Sequence, residues 1–186
     1  MSEKDLIHKC QAGELDKFGD LYELYIDKIY RFCYLKTSNK DLAEDITSNV
    51  FVKALEKIDS FDASADNSSF QAWLYKIAYN KIVDYYRSNN DTPNLEQLME
   101  YHFYKSIDFE KQIDDKDKLT EVREFLNTLK PIHAEIVLLR IWEDLSYEEI
   151  SSITGKTVDN AKQIFSRSLK KIQANITSLI LLLLLI

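Results

Sequence analysis

Three glycines and two prolines are all that interrupt this chain of 186 residues. These two residue types supply the positive-φ corners and hard stops that tight turns need, so a chain this poor in them can make few sharp reversals. β-Sandwiches and glycine-rich phosphate loops are therefore disfavoured. Apolar residues recurring at spacings of three and four argue for helix instead. The chain is predicted to be all-α. Its 45% hydrophobic and 30% charged residues suit packed cores in a soluble chain of one or two small domains.

The periodicity predicts helices over about 3–11, 14–36, 40–58 and 70–87. Residues 59–69 form a polar loop around Phe61. The run Ser-Asn-Asn-Asp-Thr-Pro at 88–93 is a stop signal. An N-terminal helical domain is thus expected over 10–87, followed by an acidic linker over 88–115. Within that linker Leu95, Leu98, Met99, Phe103 and Tyr104 suit a transient helix. A second helical unit follows over 116–175, with Pro131 in the first turn of its second helix. There is no internal repeat.

The most specific local pattern lies at 144–173. Ser146 and Glu149 form a capping box ahead of Ile150 and Ile153. Gly155 suits the left-handed residue at a helix end, and Thr157 can cap the next helix. In that next helix Val158, Ala161, Phe165, Leu169 and Ile172 share one side. At roughly 100° per residue, Asn160, Gln163, Arg167, Lys170 and Lys171 fall on the other. Two helices joined by a tight turn form the helix-turn-helix, which places its second helix in a DNA major groove. Asn and Gln suit adenine edges, Arg suits guanine, and Lys reaches phosphate. An ordinary solvated face is the bland alternative, but capping, turn and face agree on DNA binding.

The net charge of −7 is distributed unevenly. Residues 1–68 carry −5 and 88–117 carry −5, whereas 69–87 carry +2 and 156–173 carry +4. The acidic remainder opposes non-specific DNA binding, so such a chain needs a partner to hold DNA well. Cys10 and Cys33 have no paired-motif spacing, and His8 beside Cys10 falls short of a ligand set, so inert thiols and no metal are expected. Residues 1–17 lack the apolar core of a signal peptide, which makes a cytoplasmic setting the expectation. The tail at 176–186 ends in eight apolar residues, 179–186. Roughly 18 are needed to span a bilayer, so membrane insertion is not expected. A truncated anchor, a tail docking on a partner and a mere accident of chain termination remain open readings of it.

Two further faces stand out in the N-terminal half. Trp73, Lys76, Asn80, Asp84 and Arg87 line one side of the helix at 70–87, beside a core side of Leu74, Ile77, Ala78 and Tyr85. A ring, an amide and cations in one row suit unstacked bases and phosphates. The competing reading makes Trp73 core and pairs Asp84 with Lys81 or Arg87. On the helix at 40–58, Ala43, Ile46, Val50, Phe51 and Ala54 face inward, leaving Asp45, Asn49, Val52 and Glu56 outside. An exposed valine among acids and an amide suits docking on a basic protein surface.

Three stretches together resemble the extracytoplasmic-function (ECF) group of bacterial sigma-70 factors. They are Leu-Ala-Glu-Asp-Ile-Thr-Ser-Asn-Val-Phe-Val-Lys-Ala-Leu at 42–55, Phe-Gln-Ala-Trp-Leu and its continuation at 70–87, and the helix-turn-helix. Their order and the acidic linker between them match as well. The resemblance implies that Asp45, Asn49, Val52 and Glu56 dock on core RNA polymerase. It implies that Phe61 of loop 59–69, with Trp73, Lys76, Asn80, Asp84 and Arg87, recognises and opens the −10 promoter element and captures a flipped base. Thr157, Asn160, Gln163, Arg167, Lys170 and Lys171 would read the −35 element as duplex. An anti-sigma partner is also implied, with no cofactor, no small-molecule substrate and no catalysis by this chain. Ser48-Asn49 stands where the group usually has Gln-Glu, and Asp159-Asn160-Ala161 where Gly-Thr-Val is common. Promoter sequence therefore does not transfer. The rival readings are a stand-alone helix-turn-helix regulator, which leaves the stripe on 70–87 unexplained, and a membrane-associated helical adaptor, which leaves the basic helix face unexplained.

Overall fold

The computed structural model describes residues 1–37, 39–65, 68–89, 126 and 128–173. Among these, seven α-helices and two short 3-10 turns occur and no strand. The chain divides into two compact units, Met1–Leu95 and Glu96–Ile186. Nearly all of the expected linker 88–115, with Leu95, Leu98, Met99, Phe103 and Tyr104, lies outside the described residues, as does the tail 176–186.

In the first unit, α1 (Glu3–Gln11) starts at a capping box. Ser2 Oγ accepts from the Asp5 N–H at 3.2 Å, and the Asp5 carboxylate accepts from the Ser2 N–H at 3.0 Å. Leu6, Ile7 and Cys10 are buried, so α1 packs within this unit. Periodicity alone predicts an unbroken helix from 14. Instead a 3-10 turn at Leu15–Lys17 precedes α2 (Phe18–Thr37), because the chain must reverse after Gly13, whose φ is +96°. Asn39 caps α3 (Lys40–Lys57), accepting from the Leu42 N–H at 3.1 Å. A second 3-10 turn, Ile58–Ser60, leads to the loop before α4 (Phe70–Asn89). Ser69 Oγ accepts from the Ala72 N–H at 3.1 Å at the start of α4, which runs two residues past the expected end at Arg87.

Helices α2, α3 and α4 pack on one another, and α1 lies against α2 and the Ile58–Ser60 turn. Leu21, Ile29, Val50, Leu74, Tyr75 and Ile82 are fully enclosed, with Ala43, Ala54 and Ala78 allowing close approach. The ring of Phe32 meets Tyr75 edge-on at 5.0 Å. Cys33 is fully buried, and burial pushes its thiol up to about 12. Burial raises the Cys10 thiol too. Neither is disposed to react. One expectation is corrected: Tyr85 is exposed and Tyr86 takes the core place, its hydroxyl donating to the Lys36 carbonyl at 3.1 Å.

Among its described residues the second unit holds α5 (Pro131–Ile141), α6 (Tyr147–Thr154) and α7 (Val158–Gln173). Pro131 opens α5, where its missing N–H removes no helical bond. Ser146 and Glu149 make the expected capping box, at 3.2 and 2.6 Å. Gly155 closes α6 at φ +70°, and Thr157 Oγ1 accepts from the Asn160 N–H at 3.2 Å to start α7. Ile136, Val137, Ile150, Ile153 and Ala161 form the enclosed centre with Leu126 and Leu129.

Two outcomes follow for this unit. Ser146→Ala removes one arm of the capping box and should lower its stability by about 1 kcal/mol in urea unfolding of the full chain. His133 is held below the usual histidine value by burial and then by the charges of Lys130, Lys171 and Arg167. The folded unit therefore binds that proton less tightly than the unfolded chain does. Stability should be complete above the ordinary pKa of 6.5 and fall as pH drops through the lowered folded value. Melting temperatures across that range should show the fall in the wild type, and His133→Gln should flatten it.

Candidate nucleic-acid interface and docking face

Helix α7 divides cleanly between core and solvent. Ala161, Ile164 and Ser168 are buried, while Val158, Phe165 and Leu169 are half-buried at the flanks. The inward stripe is thus centred on Ile164, which the spacing of Val158, Ala161, Phe165, Leu169 and Ile172 passes over. The side chain of Ile172 lies outside the described residues. Asn160, Gln163, Arg167, Lys170 and Lys171 are all exposed, as is Thr157 at the helix start. One amide pair and three cations therefore share a solvent face next to a tight turn, the arrangement that suits a major groove. Tyr147 of α6 braces the other side, 5.9 Å from Phe165 and 5.7 Å from the Lys162 Nζ. Arg140 lies 5.4 Å from the same ring and donates to the Leu145 carbonyl at 2.8 Å. That bond fixes the corner between α5 and α6, where Asp144 has φ +48°.

The stripe on α4 is less uniform than its spacing suggests. Trp73 is half-buried in a cluster with Phe61 at 5.1 Å and Phe70 at 5.5 Å, and Phe61 meets Phe70 edge-on at 5.4 Å. Lys76 is half-buried with its Nζ 5.7 Å from the Tyr79 ring. Asn80, Asp84 and Arg87 are exposed, and Arg87 lies 3.9 Å from Asp84. Both groups of that pair stand in water, so it holds neither firmly.

Beside the aromatic cluster lies an open pocket of about 500 Å³, walled by α1 on one side and by the loop from Asp59 to Ser64 on the other. Side-chain bonds shape this loop in place of a backbone ladder. Asp62 Oδ1 accepts from the Ser64 N–H at 3.0 Å and from the Ser64 hydroxyl at 2.6 Å, and these bonds hold its carboxyl below the usual range. The Ser68 hydroxyl donates to the Asp62 carbonyl. Gln11 Nε2 donates to the carbonyls of Ile58 at 2.9 Å and Phe61 at 2.7 Å. The sequence singles out Phe61 but not its pocket neighbours His8 and Gln11, because α1 carries no nucleic-acid signal of its own.

On α3, Ala43, Ile46, Val50, Phe51 and Ala54 are buried as expected, with Thr47 added. Asp45, Asn49, Val52 and Glu56 are exposed, Val52 with 56% of its surface open. The Asn49 amide donates to the Asp45 carbonyl at 2.8 Å, and Glu56 pairs with Lys53 at 3.0 Å. Leu55 is 37% exposed and widens the apolar spot, an addition that only its burial reveals.

The profile described as sigma-70 region 2 matches residues 21–92, and that described as sigma-70, region 4 matches 119–172. The chain is 30% identical over 177 residues to the ECF RNA polymerase sigma factor BldN of Streptomyces coelicolor, covering 89% of this chain and 62% of BldN. It is 28% identical to RNA polymerase sigma factor YlaC of Bacillus subtilis, covering 87% of this chain and 93% of YlaC. It is also 28% identical to the ECF RNA polymerase sigma factor SigW of that organism, over 95% and 97% of the two chains. The solved structure of CnrH in complex with the cytosolic domain of CnrY shares the fold, with a TM-score of 0.62 at 21% identity over 94% of this chain and 96% of that one. No described helix is long and apolar enough to cross a membrane. With both sigma-70 regions present in order and relatives of this kind along most of its length, the chain belongs to the sigma-70 family, in its ECF group.

Proposed function

We propose that this protein binds core RNA polymerase and directs it to promoters through two DNA-contacting faces, leaving RNA synthesis to the polymerase. The observation that carries this reading is the pairing, in one chain, of a region 2 match with a region 4 match whose α7 turns a basic face to solvent. In this reading residues 10–87 form the polymerase-docking and −10 domain, 88–115 the linker, and 116–175 the −35 domain. Asp45, Asn49, Val52 and Glu56 meet the polymerase. Phe61, Trp73, Lys76, Asn80, Asp84 and Arg87 serve the −10 element. Thr157, Asn160, Gln163, Arg167, Lys170 and Lys171 serve the −35 element. The protein acts in the cytoplasm, where promoters and polymerase are, and an anti-sigma protein restrains it until a signal releases it.

The acidic net charge supports division of labour. A chain at −7 gains little from phosphate attraction overall, so its basic patch positions a complex that polymerase holds on DNA.

The primary test adds purified full-length protein to bacterial core polymerase and looks for transcription from a specific promoter. Absence of any complex at micromolar concentration would overturn the proposal, and binding of a palindromic operator without polymerase would favour a stand-alone regulator. Arg167→Ala should weaken binding of upstream duplex by about 10- to 100-fold, the range for a lost base contact, and leave polymerase affinity unchanged. Val52→Lys should do the reverse: at least about tenfold weaker polymerase binding, from a cation placed at a desolvated contact, with melting temperature unaltered. Titration of labelled polymerase and of labelled duplex separates the two.

A further inference from the structure

We propose that α1 is part of the DNA-opening apparatus, with Gln11 as the residue that sets the shape of the base-receiving loop. The inference rests on the −10 reading above and deepens it. The region 2 match begins at residue 21, so α1 precedes the part of the chain that the family profile describes. Nothing in that match assigns α1 a role.

The geometry is specific to an amide. Ile58 opens the 3-10 turn Ile58–Ser60 and Phe61 follows it, where the backbone leaves α3; the Ile58 carbonyl also takes the Phe61 N–H at 3.1 Å. The Gln11 amide reaches both carbonyls, at 2.9 and 2.7 Å, across 47 and 50 residues of sequence. One NH₂ group has two hydrogens, one for each carbonyl. A carboxylate in its place would turn acceptors toward acceptors, and a methyl would leave both carbonyls without that donor.

The bonds matter because of what they hold. Phe61 is fixed by its carbonyl from α1 and by its ring from Phe70 and Trp73. The next residues, Asp62 to Ser64, form the pocket wall facing His8 and Gln11. The pocket, about 500 Å³ and lined by serines and aspartates together with His8, Gln11 and Phe61, offers polar groups and some apolar surface to an unpaired base. A loop already fixed in this shape need not be ordered when the base arrives, so the bonds act on capture and not on initial docking.

Gln11 can be changed without unseating its helix. Leu6, Ile7 and Cys10 anchor α1 in the core, whereas Gln11 is only half-buried. The test uses full-length wild type, Gln11→Ala and Gln11→Glu, each reconstituted with bacterial core polymerase. Holoenzyme binding is measured on fork-junction promoter DNA with an abasic site moved one position at a time through the −10 non-template strand. Wild type should bind worse when one particular base is removed. Both variants should lose about tenfold of binding to intact fork DNA, the scale of two neutral hydrogen bonds, and be indifferent to that abasic site. Their polymerase affinity and upstream-duplex binding should match wild type, with at most a small drop in melting temperature from the two lost bonds. Full abasic discrimination in both variants would overturn the role of Gln11. So would a uniform loss at every position accompanied by a large drop in melting temperature, which marks a purely structural residue. A wild type that forms holoenzyme yet discriminates nowhere would overturn the −10 reading itself, and the inference with it.

Discussion

A helix has one circumference to divide between its own core and everything else it touches, and that division organises this protein. On α7, packing takes Ala161, Ile164 and Ser168, and what remains toward solvent is Asn160, Gln163, Arg167 and Lys170. On α3 it takes Ala43, Ile46, Val50 and Ala54 and leaves Asp45, Asn49, Val52 and Glu56. Helices of this length are marginal on their own, so each outward row exists as a surface only because the inward row is buried. Burial of apolar stripes is therefore the interaction on which both the fold and the candidate interfaces depend.

Loops have no such ladder and must be shaped otherwise. Between α3 and α4 the backbone is held by side chains: Gln11 from a distant helix, and Asp62, Ser64 and Ser68 from the loop itself. An aromatic cluster of Phe61, Phe70 and Trp73 ties this loop to the start of α4. The corner between α5 and α6 uses the same device, with Arg140 holding the Leu145 carbonyl beside a positive-φ Asp144. In both places a long side chain fixes the backbone that joins two helices.

Charge works on a shorter scale than the net figure suggests. Screening at physiological salt confines exposed charges to a range of about 8 Å, so the +4 patch at 156–173 acts almost independently of the chain's −7. The acidic rim of α3 is a different kind of surface, whose charge suits a basic partner. A single acidic protein can thus present a basic helix face and an acidic one without either cancelling the other.

The sequence by itself determined the all-α class, the capping box at Ser146 and Glu149, and the outward rows of α3 and α7. These are local properties: caps act within three residues, and a 3.6-residue period reports which positions share a side. It also carried the family, because region 2 and region 4 are written in contiguous stretches. Only the tertiary structure decided where each stripe is centred. Tyr86 rather than Tyr85 enters the core, and Ile164 rather than its flanking neighbours faces fully inward. One residue turns a helix face by roughly 100°, and the crossing position of a neighbouring helix, absent from any local pattern, selects between adjacent residues. The tertiary structure also decided that Trp73 shares its ring with Phe61 and Phe70, and that Gln11 reaches the turn at 58–61. Contacts spanning about fifty residues leave no periodic trace, so the loop's support became visible only once the chain was folded.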